Sequence, residues 1–262
     1  DTAWNDPNWS HALLVPVVSA LFLWQDRANI AREPVRPCWW GLPVAAVGLT
    51  GYFAGLYFPS ASLMGYSVLI ELVGFALLLT GTAVTAHLLL PIGYLAFAIE
   101  IDPFLRPLSG ILQRLAALGG EVVLTVLGLI LNLEVERSGN ILTLFRDGVA
   151  IDPPLNIAEA CSGLRMLVTF AALSVAFAFL VKRPWWHRLL LIAAAVPIAV
   201  ASNILRVTFF GLAAPTHPQW LEGSMHERLG LLMLLPAVGL LTAWDWFLQH
   251  AVLEQTSDGT EL

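Results

Sequence analysis

The 262-residue chain is 58% hydrophobic and 12% charged, against roughly 25% charged in an average soluble domain, so no water-soluble domain of useful size remains. The net charge of −6 says little about partners, because membrane orientation follows the placement of Lys and Arg. No basic stripe is present to hold nucleic acid.

Apolar runs recur near residues 12–24, 39–58, 63–80, 84–101, 108–131, 161–181, 186–210 and 226–248. They predict an all-α polytopic membrane protein. Lipid offers backbone groups no partners, and a β-barrel would need alternation where these runs are solidly apolar. The first run is short against the roughly 20 residues that cross a hydrocarbon core. The chain opens at Asp1 with no visible signal peptide, so an N-terminal segment is expected to be missing.

Arg27, Arg32 and Arg36 crowd the loop after the first run, and Lys182, Arg183 and Arg188 crowd the loop near residues 181–189. The positive-inside rule makes both loops cytoplasmic. Cys38, beside Arg36, Trp39 and Trp40, reads as part of an interfacial belt. The run at 161–181 then starts outside, which puts Cys161 at the outer surface. Cys38 and Cys161 fall on opposite sides and cannot form a disulfide.

Counting spans from the loop at 25–38 leaves the chain outside near residue 102. A full crossing by 108–131 would contradict the placement of Cys161. That run carries Gln113, Arg114 and Glu121, with Ile111, Leu112, Leu115 and Leu118 on one apolar face. At least its first half is therefore expected to lie in the outer interface as an amphipathic helix. A weaker alternative merges 63–101 into one span plus a re-entrant piece. About seven spans result, or eight with a missing N-terminal one.

Residues 133–157 are the only extended polar stretch. Gly139-Asn140 and Asp147-Gly148 flank an ILTLF run and Asp152-Pro153-Pro154 closes it, which predicts a small extracytoplasmic β-like flap. The expected organisation is one integral-membrane domain. It comprises an N-terminal helical half (1–101), an interfacial segment and flap (102–160), a helical half bearing the chemistry (161–248) and a polar tail (249–262).

The chemistry concentrates in EACSGLR (Glu159 to Arg165), NILR (Asn203 to Arg206) and MHERLG, which contains His226. Cys161, Arg206 and His226 fall at one depth, at the outer boundaries of three consecutive runs. Asn203 and Arg206 are three apart and share a helix face. Arg165 lies one turn below Cys161; pairing with Glu159 is its purely structural alternative. Arg206 as a snorkelling anchor is the plain alternative, but apolar sequence continues past it through Phe210 and Leu212. His11, after Trp9-Ser10, rivals His226 as a base. No His, Cys and carboxylate cluster has metal-ligand spacing, and no cofactor motif is present. A proton relay has little to work with, since Glu71 is the only carboxylate well inside a run.

A free thiol has a pKa near 8.5, and a neighbouring imidazolium lowers it to give a nucleophilic thiolate. The same histidine can protonate a leaving amine, and an arginine can neutralise an oxyanion or hold a peptide chain. These parts make a cysteine acyl-transfer site. Ser162 beside Cys161 keeps a serine protease open, and Arg165, Asn203 and Arg206 could line a transporter path instead. Transporters, however, show internal repeats and midplane polar groups that are absent here.

The three ordered motifs, with WNDPNWSHALLVP near the N-terminus and LNLEVERSGNILTL before the cysteine, resemble the exosortase/archaeosortase family. The resemblance spans nearly the whole chain. It implies about eight spans, Cys161 as nucleophile, Arg206 and His226 as partners, and Asn203 and Arg165 in support. Glu227 stands where Asp is commoner. It further implies a bacterial inner-membrane protein whose site faces the periplasm. Its partners would be exported proteins carrying a Pro-Glu-Pro type signal, a membrane helix and a basic tail, linked to exopolysaccharide production.

Overall fold

A computed structural model describes residues 14–99, 106–157, 163–181, 183–217, 220, 232 and 234–257. The chain divides into two compact units, residues 1–103 with 179–182, and residues 104–178 with 183–262.

The first unit holds α1 (Leu14–Ile30), α2 (Gly41–Tyr57), α3 (Ala61–Thr80) and α4 (Thr82–Tyr94), the last tightening into a 3-10 turn at Leu95–Ala98. α2 and α3 form a hairpin along a seam of small residues. Gly41, Ala45, Gly48 and Gly55 are buried on one helix, and Ser67 and Gly74 on the other. Small residues let backbones approach where lipid supplies no hydrophobic drive for helix pairing. A methyl built on Gly74 would overlap the backbone of Ala45. Gly74→Val is therefore expected to lower stability by about 1–3 kcal/mol, read as a lower melting temperature in detergent.

Gly81 ends α3 at φ 87 and opens α4, with the carbonyl of Arg36 where a side chain would stand. Only glycine fits both demands. Beyond Pro91 the helix tightens, so the Leu95 N–H bonds Ile92 and leaves the Pro91 carbonyl open; the Ser19 hydroxyl donates to it at 2.8 Å. His87 Nδ1 lies 2.6 Å from Asp26 Oδ2, a second tie between α1 and α4.

The second unit starts with α5 (Arg106–Leu131), one unbroken helix. It carries two stripes. Ile111, Leu115, Leu118, Val122 and Val126 are exposed, while Leu112, Ala116, Ala117 and Leu124 are buried. Strands β1 (Leu133–Ser138), β2 (Ile141–Arg146), β3 (Val149–Ala150) and β4 (Leu155–Asn156) follow. β2 pairs antiparallel with β1 along one edge and with β3 and β4 along the other. Gly139-Asn140 makes the first hairpin turn with φ 65 at the glycine, and Asp147-Gly148 makes the second with φ 53 and 76. These are the turns whose twist matches the strands they join.

The chain then forms α6 (Gly163–Leu180), α7 (Trp185–Ala193), α8 (Ala195–Ala213) and α9 (Leu234–Ser257). The expected single run at 186–210 is interrupted at Ala194. Pro197 has no N–H for the carbonyl of Ala193, four residues back, and the ladder breaks there. α9 continues through Ser257 into the stretch read as a polar tail.

Among the described residues, Ala61–Thr80, Leu108–Leu131 and Trp185–Ala213 are long and apolar enough to cross a membrane. Gly41–Tyr57, Thr82–Ala98 and Leu167–Leu180 are shorter apolar helices. The architecture is that of a helical membrane protein with a small sheet inserted between α5 and α6.

Candidate functional site

The polar face of α8 is the centre of the site. Ser202, Asn203 and Arg206 are 0%, 2% and 8% exposed, on a helix whose other residues, Thr208 apart, are apolar. The Arg206 guanidinium lies 5.7 Å from the ring centroid of Phe210, one turn along, within cation–π range. Among the described residues, neither the Ser202 hydroxyl nor either amide atom of Asn203 has a hydrogen-bond partner. A buried polar group left unsatisfied costs about 1–3 kcal/mol, so such groups call for a functional explanation.

α8 meets α5 through closely approaching glycines. Gly119 faces Ile204, Gly120 faces Val207, and Gly211 faces Leu124. The sheet closes over the same region. Leu142, Leu144, Leu155 and Ile157 share one buried cluster with Ala116 and Leu124 of α5 and with Val207, Phe210 and Ala214. The Ile157 N–H donates to the Asn140 carbonyl at 2.9 Å, and the Asn140 amide donates to Gln113 of α5 at 3.3 Å. The chain leading toward Cys161 is thus locked, as far as Ile157, into the packing one turn beyond the polar face.

Asn203 and Arg206 come together on one buried face, as their spacing predicts. Arg165 falls in the first turn of α6, where its backbone alone is described. His11, Glu159, Cys161, Ser162 and His226 lie outside the described residues. Cys38 is a free thiol in the loop before α2.

The model of the transmembrane exosortase family matches residues 3–243. The chain belongs to the transmembrane exosortase family. As an exosortase it is a membrane protein-sorting enzyme of the peptidase/transpeptidase class, acting on exported proteins with sorting signals. No curated protein and no solved structure matched the chain.

Three groups in this exosortase escape a reading by motif. Ser202 precedes Asn203 and looks like one more small helix residue, yet its hydroxyl is wholly buried. His187 and Asp245 form a buried pair, Nε2 to Oδ1 at 2.6 Å, from α7 and α9. Glu71 is therefore not the only carboxylate deep in a helix, for Asp245 is 7% exposed. A histidine in WWHR and an aspartate in WDWF, each among tryptophans, was the signal available.

Proposed function

We propose that this exosortase cleaves a Pro-Glu-Pro type C-terminal signal of exported proteins through a thioester on Cys161. Its site would face the periplasm at the bacterial inner membrane. One observation supports the reading above others. α8 buries a carboxamide and a guanidinium beside the sheet whose last strand ends five residues before Cys161. Ile157, just past that strand, shares a buried cluster with Val207, the neighbour of Arg206.

In this mechanism His226 takes the thiol proton, and the thiolate attacks the scissile carbonyl. Arg206 stabilises the oxyanion, and His226 returns the proton to the leaving amine as the C–N bond breaks. Water or an incoming amine then resolves the thioester. Arg165, Glu159 and His11 support the entrance; no metal or cofactor takes part. The basic loops at 27–36 and 182–188 supply the orientation, with at least the first half of α5 in the outer interface.

Asn203 binds the peptide backbone in this reading, since a carboxamide with donor and acceptor both open complements a peptide group. Asn203→Leu, nearly isosteric, removes an unsatisfied group and is expected to leave the protein at least as stable. Turnover should nevertheless fall by about 10- to 100-fold, the worth of one or two lost hydrogen bonds. Unchanged turnover with raised stability would reduce Asn203 to packing. The function is tested by co-expression with a signal-bearing reporter and mass spectrometry of the new C-terminus. Cleavage within the signal, lost in Cys161→Ala, is the expected outcome; an unprocessed reporter, or cleavage elsewhere, contradicts the proposal.

A further inference from the structure

Far from the polar face of α8, a second polar cluster ties the other end of the same helices together. The carboxylate of Asp245, on α9, accepts from three donors. They are His187 Nε2 at 2.6 Å, Gln249 Nε2 at 2.6 Å and Arg183 Nη2 at 3.0 Å. His187, on α7, is 0% exposed, and its Nδ1 has no partner among the described residues. Nothing in the acyl-transfer chemistry uses these groups, and burying them is costly. Taking a carboxylate out of water costs about what its hydrogen bonds return, often leaving no net gain in stability. A tie that adds little stability must be kept for something else.

The adjoining packing shows what is lacking without it. Between the clasp and the polar face, Ala194, Ile198 and Ala199 share one buried cluster with Ala237 and Leu241 of α9 and with Phe170 of α6. Three of these six are alanines, whose small side chains interdigitate weakly and discriminate poorly between neighbouring registers. A directional charged hydrogen bond discriminates strongly, as a single buried polar residue does in coiled coils.

We propose that the His187–Asp245 clasp is a register pin. It fixes the rod formed by α7 and α8 against α9, and so positions Arg206 relative to the segment carrying His226. The positioning role rests on the proposed partnership of Arg206 and His226; the register role does not. His187 and Asp245 are positioning residues, since Arg206 lies 19 residues beyond His187, about 28 Å along a helix.

The test separates pinning from stability by replacing both partners with apolar residues. In His187→Leu/Asp245→Leu the buried hydrogen-bonded pair is gone, and Arg183, a quarter exposed, can turn to solvent. Such replacements leave stability unchanged or raised. A merely structural clasp therefore predicts a stable, fully active variant. The pin predicts a stable variant whose reporter turnover falls by about 10²-fold, as when reacting groups are displaced by an ångström, with KM little changed.

Register is read separately by oxidative cross-linking in full-length protein carrying Cys38→Ala and Cys161→Ala, with Ile198→Cys and Ala237→Cys introduced. Cross-linking should be efficient with the clasp intact, persist in His187→Gln, which keeps a donor, and drop at least about tenfold in Asp245→Asn or the double variant, where the directional tie is weakened or gone. Full cross-linking in both of these, or full turnover in the stable double variant, overturns the proposal. Should the double variant fail to accumulate, Asp245→Asn against His187→Gln decides it. Cross-linking needs no substrate, so a lost register without any cysteine-dependent processing would uphold the pin and sink the acyl-transfer reading.

Discussion

Cys161→Ala is expected to abolish processing of a signal-bearing reporter, by at least about 10³-fold, with membrane abundance unchanged. His226→Ala should do the same, because a nucleophile and its base act as one unit and either loss removes most of the rate. Ser162→Ala should remain active. A hydroxyl adjacent to the thiol contributes nothing if sulfur carries the acyl group, so this variant divides the cysteine from the serine mechanism. His11→Ala should keep substantial activity, because its ring belongs to an earlier segment of the chain. Quantitative blotting of reporter and product at matched enzyme levels reads all four. Loss in Ser162→Ala alone would move the chemistry to oxygen, and loss in His11→Ala with full activity in His226→Ala would move the base.

Arg206→Lys is expected to cost about 10²-fold or more in turnover, the usual effect of removing an oxyanion donor. The side chain is 8% exposed and stacked toward Phe210, so a snorkelling anchor does not describe it. A planar guanidinium can give an oxyanion two parallel N–H donors from that buried position, whereas lysine offers a compact point charge. The charge survives the substitution and the fork does not. Substrate capture, measured by co-purification with a Cys161→Ala background, should persist, because the lost contact belongs to the transition state. Near-normal processing by Arg206→Lys at equal abundance would return the residue to a structural role.

The elements that sequence made legible are those written in local chemistry. Solid apolar runs became α2, α3, α5 and α6, and the Gly139-Asn140 and Asp147-Gly148 turns became hairpins of a sheet. The shared face of Asn203 and Arg206 followed from a three-residue spacing and survives intact. What escaped was set by distance along the chain or by packing. His187 and Asp245 are 58 residues apart, and each reads locally as part of a tryptophan-rich belt. The break at Ala194 was written in Pro197 but hidden by the apolar run around it. α5 reads as amphipathic in its first half, yet it continues unbroken to Leu131, with Ala116, Ala117 and Leu124 packed against the sheet and α8.

Hydroxylamine traps a thioester on Cys161 if one forms. Hydroxylamine intercepts a thioester by attack at the acyl carbon, releasing the thiol and leaving a hydroxamate on the product. Purified enzyme, signal-bearing reporter and hydroxylamine should yield a new C-terminus bearing the hydroxamate by mass spectrometry, and nothing in Cys161→Ala. A free carboxylate whatever the hydroxylamine concentration, with cleavage persisting in Cys161→Ala, would contradict the account.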